Sequence, residues 1–331
     1  MTEQRPGINL HTHLEGWVRP STAAELAAEL SAPTPPGGWD AALRMREPGT
    51  LTAFLAHVAH AYPLFATPDA VRRIVAEAVE DAADDGTRFL ELRFGPATHA
   101  ARGMRLDEVV GAACEGIRDG MDRRAIEAGL VVCALRHHDR ETNVAVARSA
   151  ARFAGRGVVG FDVAGDELVY PHLEPMREPF GVARAAGLGL TAHAAEAGPA
   201  SAVHEALELL GVRRIGHGSR AAEDPSILRW AVDEGMCFEV CPTSNVLTGA
   251  AASYDRHPVR AFVTAGCDVV LGDDDPTTTG SPLSRERKLL ESAVGLSASE
   301  ADRLWWTAVE RAFCEPSVRD ALATYRSGVE T

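Results

Sequence analysis

Four places in the sequence hold residues whose types and spacing suit a bound cation. The segment INLHTHL, residues 8–14, carries His11 and His13 two positions apart. Side chains alternate along a strand, so both imidazoles share one face. TAHAAE, residues 191–196, carries His193 and, three residues later, Glu196. IGHG sets His217 between two glycines, and VVLGDDD ends an apolar run in Asp273, Asp274 and Asp275. Adjacent carboxylates beside a buried strand repel one another and resist ionisation. Such a cluster is ordinarily a solvated loop. The alternative is that a positive charge sits among them.

The elements that must position these groups read as a repeat. Eight β-type runs recur, at residues 8–14, 88–96, 130–137, 158–165, 188–196, 213–218, 236–242 and 267–275. Between them lie amphipathic helical stretches such as DAVRRIVAEAVEDAADDG, with apolar residues every three or four positions and glycine at the end. This order predicts a single α/β domain over residues 1–331, a parallel (β/α)8 TIM-type barrel. A doubly wound open sheet is the rival, but it would carry a glycine-rich phosphate turn after its first strand, and HTHLEG is not one. In a barrel the C-terminal strand ends converge on one mouth. His11, His13, His193, His217 and the aspartates would then meet there.

Imidazoles with one carboxylate suit a divalent transition metal, zinc above all. One aspartate of the three would complete a set with His11, His13 and His193. Two-metal barrel hydrolases often bridge their ions with a carbamylated lysine on an inner strand. The only lysine here is Lys288, after the eighth run, so one ion per chain is expected.

The first connection, residues 17–87, is long and is expected to form a helical insertion covering the mouth. Its Leu51, Phe54, Leu55 and Val58 fall at helical spacing, which ordinary core packing also explains. Residues 276–331 read as helices that close the barrel. The balance of 33 basic against 47 acidic residues, a net charge of −14, excludes the basic footprint of a nucleic-acid binder. The six cysteines form no CxxC pair and read as buried thiols in a reducing compartment. There is no apolar leader and no run long enough to span a membrane, so the expected location is cytoplasmic and the expected partner a small molecule. Oligomeric state is not readable.

These motifs together resemble the adenosine deaminase family, which includes adenine and aminodeoxyfutalosine deaminases. HTHLEG resembles the family's HxHLDG opening, and FLELRFGP its second-strand motif. GFDVAGDE, TAHAAEAGP, RIGHG, CPTSNVLTG, HPV and GDDDP follow in family order, nearly end to end. The resemblance implies zinc held by His11, His13, His193 and Asp274, the last chosen because the family has an acid pair before proline. It implies Glu196 as proton donor to purine N1 and His217 as the histidine that orients the attacking water, with His217 and Asp274 flanking that water to steer or deprotonate it. It further implies Asp275 at N7, Gly165 offering its N–H to N3, and Glu15 near the ribose. Asp273 is then an extra acid, read as solvated or as supporting the ligands. The implied reaction is hydrolytic deamination of a 6-aminopurine nucleoside, adenosine or 2′-deoxyadenosine, to inosine and ammonia. The chemistry agrees: zinc lowers the pKa of bound water toward neutrality, and an acid at N1 lets the ring accept electrons.

Three departures bear on the substrate. Glu15 replaces the commoner aspartate and is one methylene longer. Trp17 follows it and either narrows the sugar side or packs. Ala195 replaces the glycine of HAGE, on the turn that carries Glu196. Adenine or a modified nucleoside such as aminodeoxyfutalosine is therefore the alternative substrate. A purine binder without turnover and a barrel amide or ester hydrolase are the rivals from other classes. A nucleotide is disfavoured, because phosphate calls for a basic cluster. Only Arg136, His137 and His138 stand near the mouth, and they read as solvated charges.

Overall fold

The computed structural model describes residues 5–101 and 103–325, so the outermost residues of the expected domain lie outside it. Every expected run contains a strand. They are β1 (Gly7–His13), β2 (Thr87–Phe94), β3 (Glu127–Leu135), β4 (Val158–Ala164), β5 (Gly189–Ala194), β6 (Arg214–His217), β7 (Cys237–Val240) and β8 (Asp268–Leu271). They pair in parallel, in sequence order. Beyond the end of β8 the chain meets β1 again: His13 N donates to Asp274 O at 2.6 Å and Asp274 N to His11 O at 3.1 Å. These two bonds draw the first and last strand ends together at the mouth.

Alternation along the strands separates two environments. In β2, Leu90, Leu92 and Phe94 join the large apolar core shared with the surrounding helices. Glu91 and Arg93 point the other way, and Arg93 bonds Asp162 of β4 and Glu239 of β7, contacts that only cross the barrel interior. Barrel interiors are ordinarily filled by branched apolar side chains. Here the interior holds Glu91, Arg93, Asp162, Arg214 and Glu239, each no more than 3 % exposed.

The first connection is less uniform than the sequence suggests. Its last helix, Pro68–Asp84, is capped by the Thr67 side chain and buries Val71, Ile74, Val75, Ala78 and Val79. It packs on the outer ring beside the Leu106–Arg123 helix, where a barrel's crossover helix belongs. The covering part is the Leu51–Val58 helix with the 3-10 turn Ala59–Leu64. Leu51, Phe54 and Val58 are buried and also line the cavity at the mouth, so packing and covering are one role. At the other end of the chain, the Ala298–Arg311 helix lies against β8 and β1, with Trp305 Nε1 donating to Pro6 O at 2.8 Å. Among the described residues no helix is long and apolar enough to cross a membrane.

Candidate active site

The cavity at the mouth has a volume of roughly 430 Å³. It brings together His13, Glu15, Gly165, His193, Glu196, His217, Asp274 and Asp275, with His11 directly beneath. All nine residues singled out from the sequence thus meet in one place.

Four of them converge on a point. Ligand atoms of His11, His13, His193 and Asp274 all lie within 4.8 Å of one another. His13 Nε2 is 3.2 Å from His193 Nε2 and 3.4 Å from Asp274 Oδ1, and His11 Nε2 is 3.3 Å from the same oxygen. His11 Nε2 is buried without a hydrogen-bond partner. Two donors about 2.1 Å from one tetrahedral ion sit about 3.4 Å apart, so this spacing fits zinc. The far sides of two imidazoles fit as well: His11 Nδ1 is 2.7 Å from Glu239 Oε2, and His193 Nδ1 is 3.0 Å from Asp162 Oδ2. A carboxylate behind a metal-binding histidine fixes its tautomer and strengthens it as a ligand.

The interior charges hold those carboxylates. Arg93 donates to Asp162 Oδ2 and Glu239 Oε2, both at 2.9 Å, and to Leu10 O, the carbonyl before His11. Arg214 and Thr191 take the other oxygen, Glu239 Oε1, at 2.7 and 2.8 Å. Against the cost of burial, Arg214 and Arg93 hold the Glu239 carboxyl well below the usual range. Burial likewise opposes ionisation of Asp274, but the adjacent His11 imidazole and the other surrounding histidines hold it well below normal.

Glu196 is placed for the opposite state. It is 4 % exposed, and burial, with Asp274 adding repulsion, pushes its carboxyl up to about 8. Its turn is pinned by Glu167 Oε2, which accepts from the backbone N–H of Glu196, Ala197 and Gly198 at 3.0, 3.1 and 2.9 Å. Burial and the neighbouring Asp274 raise Asp275 well above the carboxylate range too. Asp275 leaves no room beside it: a Cβ on Gly16 would lie 2.2 Å from Asp275 Oδ1. Ala195, His217 and Asp274 all have left-handed backbones, with φ of 55°, 59° and 60°. Such strain concentrates at functional sites.

Several expectations change. The aspartate loop is not solvated: Asp273, Asp274 and Asp275 are 2, 4 and 4 % exposed. Asp273 accepts from Asn9 Nδ2 at 2.8 Å, and burial pushes it up to about 7. Arg136 is not a solvated charge either. Its buried guanidinium is spent on Glu167, Tyr170 O, Pro171 O and His193 O. Trp17 packs, donating to Thr12 Oγ1 at 2.7 Å, and does not line the cavity. Glu15 is held by His99 Nε2 at 2.9 Å and Gly95 N at 3.3 Å.

Sequence reasoning missed Glu239, Asp162, Arg93, Glu167, His99, Asn245 and His257. The first three carried a signal, since a charge inside an apolar strand run must find a partner.

A parallel barrel whose mouth gathers three histidines and an aspartate around one point is the architecture of a metal-dependent hydrolase. The family model described as adenosine deaminase matches residues 6–325, and the chain belongs to that family. It is 30 % identical over 321 residues to an adenosine deaminase of Clostridium perfringens, covering 96 % of each chain. Among solved structures it is similar to an adenine deaminase from Arthrobacter aurescens (TM-score 0.90, 25 % identity, 97 % of this chain and 98 % of that one). It is also similar to an amidohydrolase from Burkholderia ambifaria with bound zinc (0.87, 26 %, 97 % and 89 %). A third is the N6-methyl-AMP deaminase of Arabidopsis thaliana (0.84, 27 %, 98 % and 97 %). The chain is accordingly a hydrolytic deaminase acting on C–N bonds.

Proposed function

We propose that this enzyme deaminates 6-aminopurine nucleosides, adenosine and 2′-deoxyadenosine foremost, to the 6-oxo product and ammonia, with one zinc ion per chain. The observation that carries this is the placement of Glu196, a buried carboxyl pushed up to about 8, beside three histidines and an aspartate arranged for a metal.

His11, His13, His193 and Asp274 would hold the zinc, which supplies an activated water at neutral pH when bound. Every other part falls to side chains. Glu196 gives its proton to purine N1, which draws electron density from C6 and opens it to water. Asp275, kept neutral by burial, donates to N7, an acceptor. Gly165, with φ of 113° and in the cavity wall, offers its N–H to N3. His217 orients the water. The oxygen of water adds to C6, its protons pass to the departing nitrogen and to Glu196, and ammonia leaves.

The cavity also bears on the sugar side. Among its lining residues the acidic groups are Glu15, Asp166, Glu196, Asp274 and Asp275, while Arg136 is turned away into Glu167. A phosphate would meet carboxylates and no guanidinium, which favours an uncharged nucleoside or base over a nucleotide. Glu15, tied to His99, favours the second reading, adenine or a modified nucleoside. The test is turnover of adenosine, 2′-deoxyadenosine, adenine, aminodeoxyfutalosine and AMP by zinc-loaded protein. Turnover of the nucleosides with AMP inert is expected. Turnover of adenine or aminodeoxyfutalosine alone moves the assignment to that substrate, and binding without turnover makes the chain a purine binder.

A further inference from the structure

The proton on His217 has a direction that can be derived from one unambiguous donor. The backbone N–H of Val259 can only donate, and it lies 3.1 Å from His257 Nδ1. That nitrogen is therefore the acceptor, and the ring's proton sits on Nε2. His257 Nε2 lies 3.1 Å from Asn245 Oδ1, which the backbone N–H of Cys241 also approaches at 3.4 Å. Two donors on one atom identify it as the amide oxygen. The other end of the amide, Asn245 Nδ2, must then donate, and it lies 3.0 Å from His217 Nδ1. His217 Nδ1 accepts, so the ring's single proton is on Nε2. That nitrogen is 3.7 Å from Glu196 Oε2 and 4.0 Å from Asp274 Oδ2, two groups that line the cavity.

We propose that Asn245 and His257 are positioning residues that lock His217 in its Nε2–H tautomer, so that His217 donates a hydrogen bond to the attacking water and cannot act as its base. A second proton on Nδ1 would face the Asn245 N–H. Turning the amide over would instead set its N–H against the His257 N–H. Each alternative leaves two donors facing each other in a buried place, His217, Asn245 and His257 being 1, 0 and 3 % exposed. A buried donor without an acceptor costs about 1–3 kcal/mol. Burial supports the same state, pushing His257 down to about 3.

The inference rests on the reading of His217 as the water-orienting group, but its first test needs no turnover. Ring nitrogen-15 shifts of zinc-loaded protein, with His217 assigned by its loss in His217→Gln, report the tautomer. An Nε2–H ring is expected; an Nδ1–H or doubly protonated ring overturns the proposal. Asn245→Asp replaces the donor with a carboxylate oxygen that draws the proton to Nδ1. In a Ser-His-Asp triad a wrong tautomer costs about 10⁴ in kcat. Here a fall of at least about 100-fold in kcat is expected, with KM within about threefold, because the purine contacts are elsewhere. His257→Gln, which keeps an N–H for Asn245, should stay near the parent rate, whereas His257→Phe should lose about tenfold. Asn245→Asp with an unchanged kcat overturns the proposal. If the parent turns over no 6-aminopurine at all, the functional reading fails instead, and the nitrogen shifts still decide the tautomer.

Discussion

The two walls of the site both present histidines and are prepared for opposite tasks. On one wall, His11 and His193 are backed by carboxylates, Glu239 and Asp162, which Arg93 ties together. On the other, His217 is backed by a neutral amide, Asn245, and stands beside Glu196, whose carboxyl burial keeps protonated. A carboxylate behind an imidazole enriches its lone pair for a cation, whereas an amide leaves it neutral and fixes only its proton. The first wall handles charge and the second handles protons. What differs between equivalent histidines is the atom behind the ring.

Breaking the charge-handling wall should have the largest effect. His11→Ala should bind no zinc at stoichiometric level and show no turnover, measured by metal content and ammonia release. Chelation of the parent should match it, and added zinc should restore the parent alone. Breaking the other wall separates the two tasks: Glu196→Gln should keep its zinc and lose about 10²–10⁴ in kcat. Near-full rate would show that Glu196 is not the acid. A smaller change sharpens the contrast. Glu239→Gln should weaken zinc binding about 10–100-fold, read by chelator competition, because the carboxylate behind His11 is gone.

The pH profile follows from Glu196. The active form is the protonated acid, and its carboxyl is pushed up to about 8. So kcat/KM should hold below that pH and fall as pH rises through it. Glu196→Gln should abolish this basic limb. The smallest effect concerns the turn itself. Ala195 sits at φ 55°, where a β-carbon is strained by about 1 kcal/mol. Ala195→Gly should remove that strain and retain activity, with a stability change of at most about 1 kcal/mol because glycine also loosens the unfolded chain. A denaturant midpoint reads it.

The strands and the residues at their ends were legible because both follow local rules. Period-two apolar runs mark strands, and polar groups at C-terminal strand ends mark a barrel's site. The groups behind the histidines were not legible. Glu239 lies 228 positions from His11, and only barrel closure makes them neighbours. Asn245 and His257 stand in motifs seen in the sequence, but their roles depend on the direction of hydrogen bonds. Arg136 was misread for a related reason: its position after β3 is local information, whereas its burial against Glu167 is not. The covering insertion was placed too broadly, because the Pro68–Asp84 helix has the same amphipathic pattern whether it covers the mouth or the outer ring.

The central claim is hydrolysis at C6 of a 6-aminopurine by the Glu196 acid and the metal-holding histidines. It is tested most directly by incubating zinc-loaded protein and Glu196→Gln with adenosine in oxygen-18 water. The account predicts one ammonia per purine consumed, one heavy oxygen at C6 of the product, and a variant that holds zinc but turns over about 10²–10⁴-fold more slowly. Zinc-bound parent protein that releases no ammonia from adenosine, 2′-deoxyadenosine, adenine or aminodeoxyfutalosine would contradict it.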